Sequence, residues 1–280
     1  MSLLSRVRRP RRRTLLLLVP ALAVGIAGGG AAVAATTGPA IQTTTPVTEA
    51  QVPNIDVVRQ QIKNYYGDPL GSGQFAPDSN YAKQVKQTVD TAEGFLTAQT
   101  HKADQGKKAI LLDVDDTSLN TYNYEIASNF AYNPTANGAF VTGQQFPAVP
   151  GMPELTQQAA AEGYAVFYLT GRGEAQEAAT LGNLTVDGVG VDAGFVAPTN
   201  VTPTVDGLFT KPALANYPDY LKAACGTAAC STVQYKSATR AYIESQGYDI
   251  IANFGDQQSD LTGGYADRSI KLPNPMYFIP

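Results

Sequence analysis

Three carboxylates stand within four positions at Asp113, Asp115 and Asp116, directly after the apolar run Ile110-Leu111-Leu112. Acids this close, where a buried strand emerges, repel one another unless a cation or a shared proton compensates, so the cluster asks for a divalent metal or a perturbed proton. Taken alone, Asp113-Val114-Asp115-Asp116-Thr117 reads more plainly as a polar turn with its acids in solvent. Three later segments change the weighing. Tyr168-Leu169-Thr170-Gly171-Arg172 ends a second apolar run with a hydroxyl and a flexible backbone, the chemistry needed to hydrogen-bond a phosphoryl oxygen. Tyr235-Lys236-Ser237 offers a cation just before a predicted helix. Asp256 and Asp260 close another apolar run with two acids four apart, hard oxygen donors of the kind divalent cations take. Singly, Thr170 serves as well for a helix cap, Lys236 for a surface lysine and Asp256 for a turn.

The surrounding periodicity says what positions these residues. Apolar spacing of three and four predicts helices at Ile55–Tyr65 and Tyr81–Gln99. Strands and helices then alternate: a strand at Ala109–Asp113, a helix at Glu154–Glu162 opened by Pro153, a strand at Ala165–Thr170 and a helix at Glu174–Leu184. A strand near Gly194–Ala197, a helix near Ser237–Gln246 and a strand near Ile250–Phe254 complete the pattern. This is an α/β chain with a mainly parallel sheet covered on both faces, and such sheets carry their sites at the C-terminal ends of strands. Each of the acid and hydroxyl segments falls at such an end.

Composition bounds the rest. The 280 residues are 44% apolar and 16% charged, ample for a core. Residues 1–35 hold six Arg and no acid, leaving 14 basic against 24 acidic residues and a net charge of −10 beyond them. That balance argues against nucleic acid and against a membrane surface as partners. The same 35 residues, an Arg-rich start, an apolar stretch from Thr14 to Ala27 and a small-residue run to Ala35, read as a cleaved export signal. Arg12-Arg13 resembles a twin-arginine signal, which leaves the route open between two export systems. Pro20 and the triple glycine at 28–30 weaken the alternative of a membrane anchor, so no stable membrane association is expected after cleavage. Residues 36–52, rich in Thr and Pro, read as a flexible tether, and 53–280 as one domain. In an oxidising compartment Cys225 and Cys230, with four residues between them, read most simply as a small-loop disulfide. His101 is the only histidine, so neither a zinc site nor a histidine-phosphate chemistry has its ligands.

Taken in order, Asp113-x-Asp115-x-Thr117, Thr170, Lys236 and Gly255-Asp256-x-x-x-Asp260 resemble the four motifs of the haloacid dehalogenase (HAD) superfamily over residues 108–262. Thr170-Gly171-Arg172, Tyr235-Lys236-Ser237 with Arg240, and Lys271-Leu272-Pro273-Asn274-Pro275-Met276-Tyr277 resemble its secreted acid phosphatase branch, subfamily IIIB, which includes plant vegetative storage proteins and bacterial class B and C enzymes. The resemblance implies a Rossmann-like HAD fold with N-terminal helices and a small cap inserted at about 118–150. It implies a secreted phosphomonoesterase acting on small-molecule esters, with Asp113 as nucleophile and Asp115 as general acid and base. Mg2+ would be held by Asp113, the Asp115 backbone carbonyl, Asp256 and Asp260. Thr170, Gly171 and Lys236 would bind the phosphoryl group. Leu261 departs from the residue many relatives carry, a packing difference. Plant storage relatives can lack the nucleophilic Asp; this chain keeps Asp113, which favours an enzyme over a storage or phosphate-ligand-binding protein on the same fold. A calcium-binding module fits poorly, since the Asp clusters lack the glycine and distal Glu of a calcium hand. Tyr122, Tyr124, Phe130 and Tyr132 crowd the start of the insertion; they read slightly better as cap core than as a stacking surface for a base or aryl ring. Asp116 has no role derivable at this level.

Overall fold

The computed structural model describes residues 45–101, 106–185 and 192–279. The expected export signal at 1–35 and the first part of the 36–52 stretch lie outside the described residues. Residues 45–52 are exposed throughout and hold one 3-10 turn at Glu49–Gln51.

Helix α1, Ile55–Tyr65, starts under Asn54, whose side chain accepts from the N–H groups of Asp56 and Val57. Helix α2, Asn80–Gln99, starts under Ser79 and buries Tyr81, Val85, Val89, Ala92 and Leu96, the three-four stripe of an amphipathic helix. Strand β1 follows at Lys107–Leu112, and between it and α5 (Met152–Ala161) the chain forms α3 (Tyr122–Ala127) and α4 (Pro134–Thr142). Strand β2 (Ala165–Gly173), α6 (Glu177–Thr185), β3 (Leu208–Lys211), α7 (Asp219–Cys225), α8 (Thr232–Ser245), β4 (Tyr248–Gly255), α9 (Gln258–Leu261) and β5 (Arg268–Lys271) complete the order.

The five strands lie in the order β3-β2-β1-β4-β5, and every pairing is parallel. Side chains of β1 alternate between two cores. Ile110 and Leu112 join the cluster that contains Val85 of α2 and Leu155 of α5, whereas Ala109 and Leu111 join Leu221 of α7 and Ile243 of α8. Burial on both faces explains why β1 reads as an unbroken apolar run. Because the chain leaves β1 toward β2 and leaves the neighbouring β4 toward β5, the connections at these two C-terminal ends diverge and open a crevice there. No helix among the described residues is long and apolar enough to cross a membrane.

Three expectations need correction. The segment around Gly194–Ala197 is not a strand; it is irregular, with Gly194 left-handed at φ +76° and Ala193 and Phe195 packed into the core. The position beside β2 belongs to β3, with Tyr168 paired to Leu208 and Leu169 to Phe209. Gly207 makes that approach possible, because a Cβ there would lie 2.6 Å from the Phe167 ring of β2 and 2.3 Å from the Thr199 carbonyl oxygen. Second, α8 begins at Thr232 rather than near Ser237, because Ser231 and Gln234 form a reciprocal capping box; Lys236 therefore stands inside the helix. Third, β2 runs on past Thr170 to Gly173, where it pairs with Lys211 after an irregularity.

Candidate active site

Asp113 is the first residue beyond β1, and its N–H donates to the Phe254 carbonyl of β4 at 3.0 Å. The turn that follows folds back on itself: the Ser118 hydroxyl donates to the Asp113 carbonyl at 2.7 Å, and Asp116 takes a left-handed φ of 54°. The Lys236 ammonium bridges two acids, donating to Asp113 and, at 2.5 Å, to Asp260. Its helix therefore delivers the cation to the strand ends from the opposite face of the sheet. Burial alone would disfavour that ammonium, but the charges of Asp113 and Asp260 outweigh it and hold Lys236 above the usual lysine range. Burial pushes Asp113 up despite Lys236, with Asp260, Asp256 and Asp115 adding to the push.

Asp256 follows β4, and Asp260 lies in α9. Gly255 lets them come together, since a Cβ on it would meet the Asp260 Cβ at 2.4 Å. Asp260 also accepts the Gln257 N–H at 2.8 Å, while its backbone carbonyl accepts from Arg240 at 2.6 Å and from Asn253 at 3.0 Å. Arg240, wholly buried, donates onward to the carbonyls of Thr262 and Gly264 and so ties this loop to α8. Asp256 accepts from Gln257 at 2.6 Å, Asn274 at 2.7 Å and Thr117 at 3.3 Å. Burial, with the charges of Asp260 and Asp116, pushes Asp256 up to about 8. Carboxylate oxygens of Asp113, Asp256 and Asp260 all lie within 4.8 Å of one another. Three buried carboxylates sharing one lysine leave an excess of negative charge, and hard oxygen donors this close suit a small divalent cation.

Asp115 points elsewhere. Arg172 grips its carboxylate with two donors, Nη2 at 2.7 Å and Nε at 3.1 Å, and is itself held by Thr180 at 3.0 Å. Asp116 turns away from the acids around Asp113 and accepts the Thr121 N–H at 3.1 Å, the Thr121 hydroxyl, and the Tyr277 hydroxyl at 2.9 Å. Burial raises it to about 7. Thr170 is completely buried, its hydroxyl oxygen accepting the Arg172 N–H at 3.1 Å, while Gly171 and Arg172 supply the surface at this strand end.

These groups open onto a cavity of about 700 Å³. Asp113, Asp115, Lys236, Asp256 and Asp260 line one part of it; Thr121 just ahead of α3, Tyr124 and Glu125 within it, and Phe130 and Tyr132 after it line another; Tyr277, Phe278 and Ile279 come from the C-terminal segment. Of the aromatic residues singled out in the insertion, Tyr122 is core, stacked on Tyr66 with ring centroids 4.2 Å apart. Tyr124, Phe130 and Tyr132 face the cavity, though Tyr124 is buried and its hydroxyl is engaged with Asn133. Cys225 and Cys230 are joined in a disulfide between α7 and α8.

Sequence reasoning missed five contributors. Arg172 and the segment Lys271–Tyr277 stood out as motif residues without a role; Asn274 and Tyr277 turn out to bond the site acids directly. Gln257 sat unremarked between Asp256 and Asp260. Glu125 carried no signal at all, being one acid in a short polar helix.

A family model described as HAD superfamily, subfamily IIIB (Acid phosphatase), matches residues 31–280. Acid phosphatase 1 of Solanum lycopersicum is 30% identical over 203 residues, 71% of this chain and 69% of its own length. Vegetative storage protein 2 of Arabidopsis thaliana is 27% identical over 247 residues, 84% of this chain and 78% of its own. Among solved structures, the class C acid phosphatase of Bacillus anthracis shares the fold with a TM-score of 0.54 at 21% identity, over 80% of this chain and 87% of that one. An ordered set of acids around a central strand end, a lysine bridging two of them and a match across most of the chain lead to one assignment: the chain belongs to the HAD superfamily, subfamily IIIB, the acid phosphatases, and is by that membership a phosphomonoesterase.

Proposed function

We propose that the chain is a secreted, magnesium-dependent acid phosphatase that hydrolyses small phosphomonoesters through an aspartyl-phosphate intermediate. The observation that carries this reading is the Lys236 bridge between Asp113 and Asp260 at the end of the central strand. It supplies a nucleophile and a cation at the one point where an anionic ester must be brought against an anionic side chain.

In the first step an Asp113 carboxylate oxygen bonds to phosphorus as the ester P–O bond breaks, and Asp115 gives its proton to the departing oxygen. In the second, water attacks the same phosphorus and Asp115 takes its proton. The Asp113–phosphorus bond breaks, releasing inorganic phosphate and restoring both side chains. Arg172 orients the Asp115 carboxylate for both transfers. Lys236 and the backbone at Gly171 hold the phosphoryl oxygens, and Thr170, buried beneath that backbone, shapes it by accepting the Arg172 N–H. Asp113, Asp256 and Asp260, with the Asp115 backbone carbonyl, would hold Mg2+, which when bound lowers the repulsion between the acids and the phosphoryl group.

Residues 118–150 act as a cap over the mouth. Export is supported by the Arg-rich and apolar leader and by the disulfide, which belongs to an oxidising compartment. A second reading, a storage or phosphate-binding protein without turnover, has only the likeness to a vegetative storage protein behind it and leaves the Asp113–Lys236 pair without a use.

Release of inorganic phosphate from an aryl phosphate between pH 4 and 9, with magnesium or with chelator, tests the proposal beside Asp113→Asn. Metal-dependent release that vanishes in the folded variant is the expected result. Wild-type release by Asp113→Asn overturns the nucleophile assignment, and phosphate binding without release at any pH favours the second reading.

A further inference from the structure

Six acidic residues are buried among the described residues: Asp68, Asp113, Asp116, Glu125, Asp256 and Asp260. Five of these carboxylates have donors. Asp68 takes Ser72, Gly73 and Tyr122, and the four aspartates of the site are bonded as described above. Glu125 is the exception. Its backbone is pinned in α3, the N–H donating to Thr121 at 3.1 Å and the carbonyl accepting from Phe130 at 2.8 Å and from the Ser128 hydroxyl at 3.3 Å. The residue is only 6% exposed, and among the described residues no protein donor meets its carboxylate, whose oxygens open onto the cavity.

A carboxyl this little exposed and without a protein donor completes its bonding only through the cavity it faces, with water or with a ligand. Glu125 lines the cavity, so a ligand can reach it. Burial and the negative charge of Asp115 push its carboxyl up to about 7, and a cation beside it would relieve both. The rest of that wall suits a cation as well: Phe130 and Tyr132 line it, and aromatic faces attract ammonium groups. Arg172, Lys211 and Lys236 lie along the part of the cavity nearest the strand ends. Lys236, Arg172 and Lys211 thus line the strand-end part of the cavity beside the site aspartates, and Glu125 lines the wall supplied by α3 without a basic partner of its own.

We infer that Glu125 selects phosphomonoesters whose leaving alcohol carries an amine or ammonium group, of which 2-aminoethyl phosphate is the simplest. This rests on the reading that places the phosphoryl group at Asp113. The ammonium donates to the Glu125 carboxylate and no covalent step involves Glu125.

The test compares 2-aminoethyl phosphate with propyl phosphate, which replaces the nitrogen by carbon at nearly equal size, on the whole protein with magnesium. The readout is the ratio of the two kcat/KM values. A charge-assisted hydrogen bond in a buried pocket predicts a ratio of about ten or more in the wild type. Glu125→Gln should lower the ratio and Glu125→Ala bring it to near one. A wild-type ratio near one, or a ratio that survives Glu125→Ala, overturns the inference. So does a parallel fall for both esters, which is what a merely structural role would produce. Calorimetric binding of both esters to the Asp113→Asn protein separates this inference from the proposed activity. Preference for the amine, lost in Asp113→Asn with Glu125→Ala, sustains the inference even if the parent shows no turnover; turnover of both esters without preference sustains only the phosphatase reading.

Discussion

Tyr277 donates its hydroxyl to the Asp116 carboxylate at 2.9 Å, joining residues 161 apart in the chain. Asn274 makes a parallel contact to Asp256 at 2.7 Å, and the Ile279 N–H donates to Gln257 at 3.1 Å. The segment after β5 is therefore a wall of the site that fixes two of its acids.

Removing the Tyr277 hydroxyl should leave Asp116, already disfavoured by burial, with one donor fewer. Tyr277→Phe is expected to cost about 1–3 kcal/mol, the range for a hydrogen bond to a buried charged group. Thermal unfolding should show this as a fall of several degrees. An unchanged melting temperature would mean that the contact contributes nothing to holding the segment.

Arg172 meets Asp115 with two donors of one planar fork. Lysine keeps the charge and loses the fork, so Arg172→Lys should lower kcat by roughly tenfold or more through misplacement of Asp115. KM should change less. Steady-state kinetics on an aryl phosphate checks the split, and a loss confined to KM would instead make Arg172 a substrate-binding residue.

Burial raises Glu125 and Asp116 to about 7. The folded protein therefore keeps protons that the unfolded chain has released once pH passes the ordinary carboxylate range, so stability is greatest at acid pH and falls as pH rises through 7. For Glu125 the effect is about 2 kcal/mol once the partly wetted cavity is allowed for. With chelator present, the melting temperature should drop between pH 5 and 8, the drop should shrink in Glu125→Gln, and magnesium should restore stability at pH 8. A melting temperature that rises over this range would contradict the assignment.

The disulfide between Cys225 and Cys230 closes a very short loop just ahead of the helix that carries Lys236. The Cys230 carbonyl accepts from Lys211 at 3.0 Å, a lysine that lines the cavity. Chain-entropy arguments for so short a loop give about 2 kcal/mol. Reduction should lower the melting temperature by several degrees and reduce activity only near that lower transition. Loss of activity at 25 °C in a reduced but folded protein would show that the bridge also sets the position of Lys236.

Local chemistry was readable from the amino-acid sequence wherever neighbours along the chain decide the structure. Helix α1 has the expected bounds because its cap and apolar spacing are local, and β1 was plain because a strand buried on both faces leaves an unbroken apolar run. Asp113 and Asp256 follow their strands as expected, whereas Thr170 lies inside β2, which runs on to Gly173, and Lys236 lies inside α8, which starts at Thr232. What only the tertiary structure decided is who meets whom. Lys236 reaches Asp113 across 123 residues, Arg172 reaches Asp115 across 57, and β3 rather than the 194–197 segment takes the place beside β2. Those pairings depend on strand order and on the register with which strands pack, quantities set by the sum of many distant contacts. Glu125 shows the same limit in reverse: a carboxyl becomes informative only when the fold confines it to one cavity and brings it no protein donor, and neither condition is written in the residues beside it.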